Sequence, residues 1–182
     1  GLHLSQRGLG QAERVAERLA GLSLAAVYCS PLERTRETAA PTASAFGVPV
    51  TEDAGLLECD FGDWTGVELT ALNRLPEWDA VQRTPSQFRF PAGESFPEMQ
   101  ARMVDAVGRI RDAHVGGVVV AFSHADPIKA AVAHALGTPL DLFQRIVISP
   151  CSVSAILFGA DGAPAVLTVN STQSALAELR AS

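Results

Sequence analysis

Two short segments of the chain place a polar or basic side chain between an apolar run and the start of a helix. They are Tyr28-Cys29-Ser30-Pro31-Leu32-Glu33-Arg34 and Ala121-Phe122-Ser123-His124-Ala125-Asp126-Pro127. In open α/β sheets ligands sit beyond the carboxyl ends of the strands, where helix N-termini present free amides to negative charge. Both segments are therefore expected to face one anion-binding pocket. Arg34 falls in the first turn of its predicted helix, where a cation opposes the helix dipole; a bound anion would remove the conflict, and an ion pair with Glu33 or Glu37 is the plainer alternative. Arg36 is the weaker candidate, because two positions along a helix is about 200 degrees around it. His124 directly follows a buried run, so it must be paired or line a cavity.

A third segment, Leu56-Leu57-Glu58-Cys59-Asp60-Phe61-Gly62-Asp63-Trp64-Thr65-Gly66, holds three carboxylates. Glu58 follows two leucines and precedes a Gly-Trp-rich loop, a setting that favours desolvation, a retained proton and general-acid work, but chemistry alone does not choose among the three. Asp60 and Asp63 remain alternatives, although aspartates in such segments usually make turns. The other histidines, His3, His114 and His134, are poorer catalytic candidates, beside a cap, at a helix end and inside an apolar helix. Residues His124, Asp126 and His134 lack the spacing of a familiar metal-ligand set, so no metal site is expected. Ser123, His124 and Asp126 cannot form a nucleophilic triad either, because near neighbours leaving a strand point in divergent directions.

The elements that must position these residues alternate between strands and helices. A helix is predicted over residues 5 to 20, with Ser5 as N-cap and Gly21 as stop. A buried strand at 25 to 29 feeds a second helix, with Ser30 and Glu33 as a capping box, Pro31 at its first position, a stop at Gly47, and Pro41 as a possible break. Residues 51 to 67 have no period and read as a functional loop, while Pro76, Pro85 and Pro91 imply short helices and turns over 68 to 94. Ser95 and Glu98 offer another capping box, opening a helix to His114 in which Met99 and Met103 fill the core. Residues 117 to 122 are apolar on both faces, as in a central parallel strand, and Asp126 and Pro127 suit the start of the helix that closes at Gly137. A short helix near 139 to 143 and strands near 145 to 148, 152 to 158 and 165 to 170 complete the chain, with Asp161-Gly162 as a hairpin turn. The expected fold is a single α/β domain over 1 to 182, a three-layer α/β/α sandwich with a mostly parallel sheet.

Composition narrows the function. With 14 Lys plus Arg against 20 Asp plus Glu, the net charge is −6, which disfavours nucleic acid and anionic membranes as partners. Basic groups for an anionic ligand must then be concentrated locally. Three scattered cysteines, Cys29, Cys59 and Cys151, argue against a disulfide framework and for a reducing cytoplasm. No apolar run is long enough to span a bilayer, and Asn170-Ser171-Thr172 is read as a chance sequon.

Four motifs in order, Ser30-Pro31-Leu32-Glu33-Arg34-Thr35-Arg36-Glu37-Thr38-Ala39, Leu57-Glu58 with Gly62-Asp63-Trp64-Thr65-Gly66, Gly93-Glu94-Ser95, and Ser123-His124-Ala125, resemble the histidine phosphatase superfamily, phosphoglycerate mutase-like, over nearly the whole chain. The stretch from His124 to Ser154 is most similar to an actinobacterial phosphomutase or phosphatase branch. The resemblance implies a metal-independent, cofactor-free reaction of a small phosphorylated metabolite through a phosphohistidine. By position it assigns a phosphate arginine to Arg34, the second phosphate-binding histidine to His124 and the leaving-group acid to Glu58, with Arg36, Glu94, Ser123 and Ala125 at the pocket rim. It also implies an Arg-His-Gly nucleophile motif on a first strand, ahead of the 5 to 20 helix, so the sequence reads as beginning after that strand and as inactive alone. The modest interval between Glu58 and His124 favours a phosphatase over a mutase with its large capping insertion; an inactive module binding a phosphometabolite or a protein is the remaining alternative. Oligomeric state is left open, a homodimer being one option.

Overall fold

The computed structural model describes residues 2–173 together with 175 and 176, so the ends of the single domain expected over 1 to 182 lie outside the described residues. Helix α1 (Gln6–Arg18) starts at Ser5, whose hydroxyl accepts the Gly8 N–H. Strand β1 (Leu24–Cys29) leads to α2 (Glu33–Phe46), β2 (Val50–Glu52), the short helices α3 (Leu69–Leu72) and α4 (Trp78–Arg83), α5 (Phe96–Ala113), β3 (Val118–Phe122), α6 (Ala125–Ala135), β4 (Val153–Phe158) and β5 (Pro164–Ser171). Strands β2, β1 and β3 form a parallel sheet in that order, while β4 and β5 form a separate antiparallel hairpin. Alternation along β1 divides the layers: Val27 and Cys29 pack with Val15 of α1, with Leu19 at its C-cap and with Ala39 of α2, while Tyr28 packs with Met103, Ala106 and Ile110 of α5. The predicted three-layer α/β arrangement is thus present.

Several local expectations are corrected. Among the described elements β3 pairs with β1 alone and forms the sheet edge, where Val118 and Ala121 are exposed, although its apolar run predicts a central strand. Two-sided apolarity reports what a strand's faces can bury and says nothing about whether both edges are paired. Residues 145 to 148 form no strand; a 3₁₀ helix (Leu140–Arg145) runs into irregular chain there. Helix α2 is capped at Leu32 and the Ser30–Glu33 capping box does not form, because Ser30 is turned inward and the Thr35 hydroxyl donates to the carbonyls of Ser30 and Leu32. The helix passes through Pro41 and stops at Gly47, whose positive φ of 64° suits glycine. The N-cap of α6 is His124, and Asp126 lies in the first turn paired with Lys129.

The excursion between β2 and α5 has its own core. Phe61, Trp64 and Phe88 pack on buried Phe90, Phe96 and Phe143, with the buried Met99 beneath. Gly62 and Gly93 let two backbones cross here: a Cβ on Gly62 would meet the Pro91 carbonyl at 2.0 Å. The crossing is sealed by Asp63 N–H to Pro91 O and Glu94 N–H to Asp60 O, both 2.9 Å. This seam joins two of the four sequence motifs.

Candidate active site

Parallel pairing brings the carboxyl ends of β1 and β3 together, and Ser30 N–H donates to Phe122 O at 2.9 Å. The next residues therefore meet side by side. Ser30 is fully buried and His124 nearly so. Arg34 Nη2 lies 3.1 Å from His124 Nδ1, and His124 Nε2 lies 2.9 Å from Ser30 Oγ. A guanidinium can only donate, so Nδ1 accepts and the ring proton belongs on Nε2, donated to Ser30 Oγ. Burial, with Arg34 and then Arg102 nearby, holds the imidazole's pKa down at about 4. The ring is neutral near pH 7, and an arriving dianion would favour its protonation.

Glu58 completes the cluster, with Oε2 at 4.0 Å from His124 Nδ1. Burial and the nearby Asp126 carboxylate push its pKa up to about 7, against the lowering effects of the Cys59 N–H, Arg34 and Lys129. A carboxyl with that affinity can exist in both protonation states near neutrality, as a group that first gives and then takes a proton requires. Asp60 and Asp63 are exposed, and the Asp60 carboxylate accepts the Gly62 N–H in a turn. Of the three carboxylates in this segment, Glu58 is the one placed beside His124.

The remaining sequence candidates have other partners. Arg36 pairs with Glu52 at the end of β2, Nε to Oε1 at 2.7 Å and Nη2 to Oε2 at 2.9 Å. Glu94 receives Arg102 and the Asp60 N–H. Ser123 Oγ donates to Leu56 O at 2.8 Å, and Ala125 opens α6. His3 meets Glu37, His114 Nε2 lies 2.9 Å from Tyr28 Oη, and His134 is exposed near the end of α6. Among the described residues no group of three or more His, Cys, Asp or Glu could hold a metal ion. No helix of the described residues is long and apolar enough to cross a membrane.

Sequence reasoning missed Ser30 as a site residue, reading it as a cap. Its position is equivalent to that of Ser123, directly after a buried strand, and a hydroxyl buried there needs a partner. Arg102 was also missed. Its side chain leaves α5 between buried Met99 and Met103, which is the one hint that it works toward the interior.

With this geometry established, comparisons give the site a context. The profile of the histidine phosphatase superfamily (branch 1) matches residues 1–172. Bifunctional protein Rv2228c of Mycobacterium tuberculosis is 35% identical over 167 residues, 91% of this chain and 45% of that protein. The chain thus spans less than half the length of this curated relative. Phosphoserine phosphatase 1 of Hydrogenobacter thermophilus is 31% identical over 155 residues, covering 84% of this chain and 74% of that protein. The solved structure of Bacillus stearothermophilus YhfR superposes with a TM-score of 0.87 at 28% identity, over 93% of this chain and 85% of that one.

Proposed function

Because the chain belongs to the histidine phosphatase superfamily (branch 1), we propose that it supplies the transition-state and acid–base groups of a phosphomonoester hydrolase that works through a phosphohistidine. Arg34 and His124 hold the oxygens of the transferring phosphoryl group, the imidazole taking a proton as the dianion arrives. A histidine nitrogen forms the N–P bond as the ester P–O bond breaks, and Glu58 gives its proton to the departing alkoxide. Glu58 then takes a proton from the water that attacks phosphorus, the N–P bond breaks, and inorganic phosphate leaves. Ser30 fixes the ring of His124, and Arg36, Glu94, Ser123 and Ala125 are the rim positions that the family resemblance implies.

The observation that carries this reading is the meeting of Arg34, His124 and a Glu58 carboxyl whose pKa is about 7. The nucleophile is a different histidine. His3, His114 and His134 have partners or places away from this cluster, and we assign the role, as the family resemblance implies, to a histidine of an Arg-His-Gly motif on a strand ahead of α1. The phosphatase relative in Hydrogenobacter supports hydrolysis, and a phosphomutase is the alternative reading.

The test is rapid mixing of the protein, extended by its upstream sequence, with an aryl phosphate in excess chelator. A burst of phenol, acid-labile protein-bound phosphate and steady release of phosphate are expected. Saturable phosphate binding without turnover would replace this reading by a binding module, and a requirement for a divalent ion would overturn the mechanism.

A further inference from the structure

Glu58 lies on irregular chain beyond β2, with no strand or long helix to direct it. Its support comes from behind, from α5. Arg102 Nη1 donates to Gly55 O at 2.9 Å and Leu57 O at 3.0 Å, and Nη2 donates to Glu58 O at 3.3 Å. Nε and Nη2 also donate to the Glu94 carboxylate at 2.8 and 2.9 Å, and that carboxylate accepts the Asp60 N–H at 3.0 Å. The five N–H donors of one guanidinium are thus spent on the backbone of the acid's own segment and on the carboxylate that grips its far end. The same helix closes on the segment elsewhere. A Cβ on Gly55 would meet Ala106 Cβ at 2.5 Å, and Arg109 Nη2 reaches both Asp53 oxygens at 3.1 Å.

We infer that Arg102, braced by Glu94, is the positioning residue of the acid: its guanidinium locks the main chain of 55 to 58 so that the Glu58 carboxyl faces His124. The catalytic consequence rests on Glu58 being the acid, as proposed above; the mechanical one does not. The bonds from Arg102 to Glu58 go to its carbonyl, so the arginine acts through backbone placement. The carboxyl itself faces Arg34 from α2, His124, and Asp126 and Lys129 from α6, with the Cys59 N–H beside it. Releasing the segment lets the carboxyl turn toward water, which returns its proton affinity toward that of an ordinary glutamate.

The experiment follows the Glu58 carboxyl by carbon NMR in glutamate-labelled chain, its signal assigned by its loss in Glu58→Gln. In folded Arg102→Ala the midpoint should fall by about one pH unit or more; an unchanged midpoint overturns the inference. Should Arg102→Ala fail to fold, Arg102→Lys decides, because lysine keeps the charge without the planar fork: a lowered midpoint supports the clamp and a parental one overturns it. In the extended protein the same variants should lose about ten-fold or more in kcat on alkyl phosphates while losing less on activated aryl phosphates. Absence of turnover in the parent would sink the proposed reaction and leave the NMR result standing. Normal alkyl-phosphate turnover in the variants would sink the inference alone.

Discussion

The two halves of the candidate site reach the same place by different physical means. Arg34, Ser30 and His124 are delivered by β1 and β3, whose parallel register fixes where each strand ends and where the next side chain points. Glu58 arrives on irregular chain that is held by side-chain ties to Arg102 and Ser123 and by close contact of Gly55 with α5. A strand end draws its precision from a backbone ladder shared with the whole sheet, whereas the acid segment depends on a few bonds from a distant helix. The first arrangement tolerates side-chain change while keeping its geometry; the second loses geometry when one tie is cut.

Substituting one residue from each half sharpens the contrast most. In the extended protein His124→Ala should cost about 2 to 4 kcal/mol of transition-state stabilisation whatever the leaving group, because it removes a partner of the phosphoryl oxygens. Glu58→Gln should impair alkyl phosphates strongly and activated aryl phosphates little, because only the former need a proton on departure. Parallel losses across a leaving-group series would erase the division of labour.

Stability against pH separates the halves without any substrate. Glu58 holds its proton to about pH 7 in the native state against 4.5 as reference, so the unfolded chain sheds it first and stability falls as pH rises between those values. His124 is held down to about 4 against 6.5, so the unfolded chain takes up a proton first as pH drops, and stability is lost from 6.5 down to 4. The two slopes oppose each other where they overlap. Glu58→Gln should leave the histidine slope alone, so urea unfolding should report stability rising with pH up to 6.5 and a gain over the parent of up to about 3 kcal/mol above pH 7. Superimposable curves for parent and variant would remove the buried-acid description.

The smallest expected effect concerns the acid segment alone. Gly55→Ala sets a methyl against Ala106, and the overpacking should destabilise by about 1 to 3 kcal/mol. Thermal unfolding checks it, and a neutral result would mean that the 53 to 58 segment rides freely on α5.

The sequence made the strand-borne half readable. An apolar run followed by Ser30 or by Ser123-His124 and then a helix is a local pattern with a local cause, and the two places meet in the His124–Ser30 hydrogen bond. The Ser95–Glu98 capping box and the stop at Gly47 were readable for the same reason. The capping role expected of Ser30 failed because a buried imidazole outcompeted the helix end for its hydroxyl, a partner 94 positions away. The edge position of β3 was hidden because composition reports faces rather than pairing. Glu58 stood level with Asp60 and Asp63 on chemistry alone, since desolvation depends on what packs around a carboxyl.

From the sequence alone came the α/β alternation and the two strand ends that run into helix starts, which follow from periodicity and helix chemistry, and, through the ordered motifs of the family resemblance, the candidate residues Arg34, Glu58 and His124. Only the tertiary structure decided the Arg34–His124–Ser30 hydrogen bonds, the elevated affinity of Glu58 and the five-fold grip of Arg102, because each joins residues far apart in sequence through burial and distance.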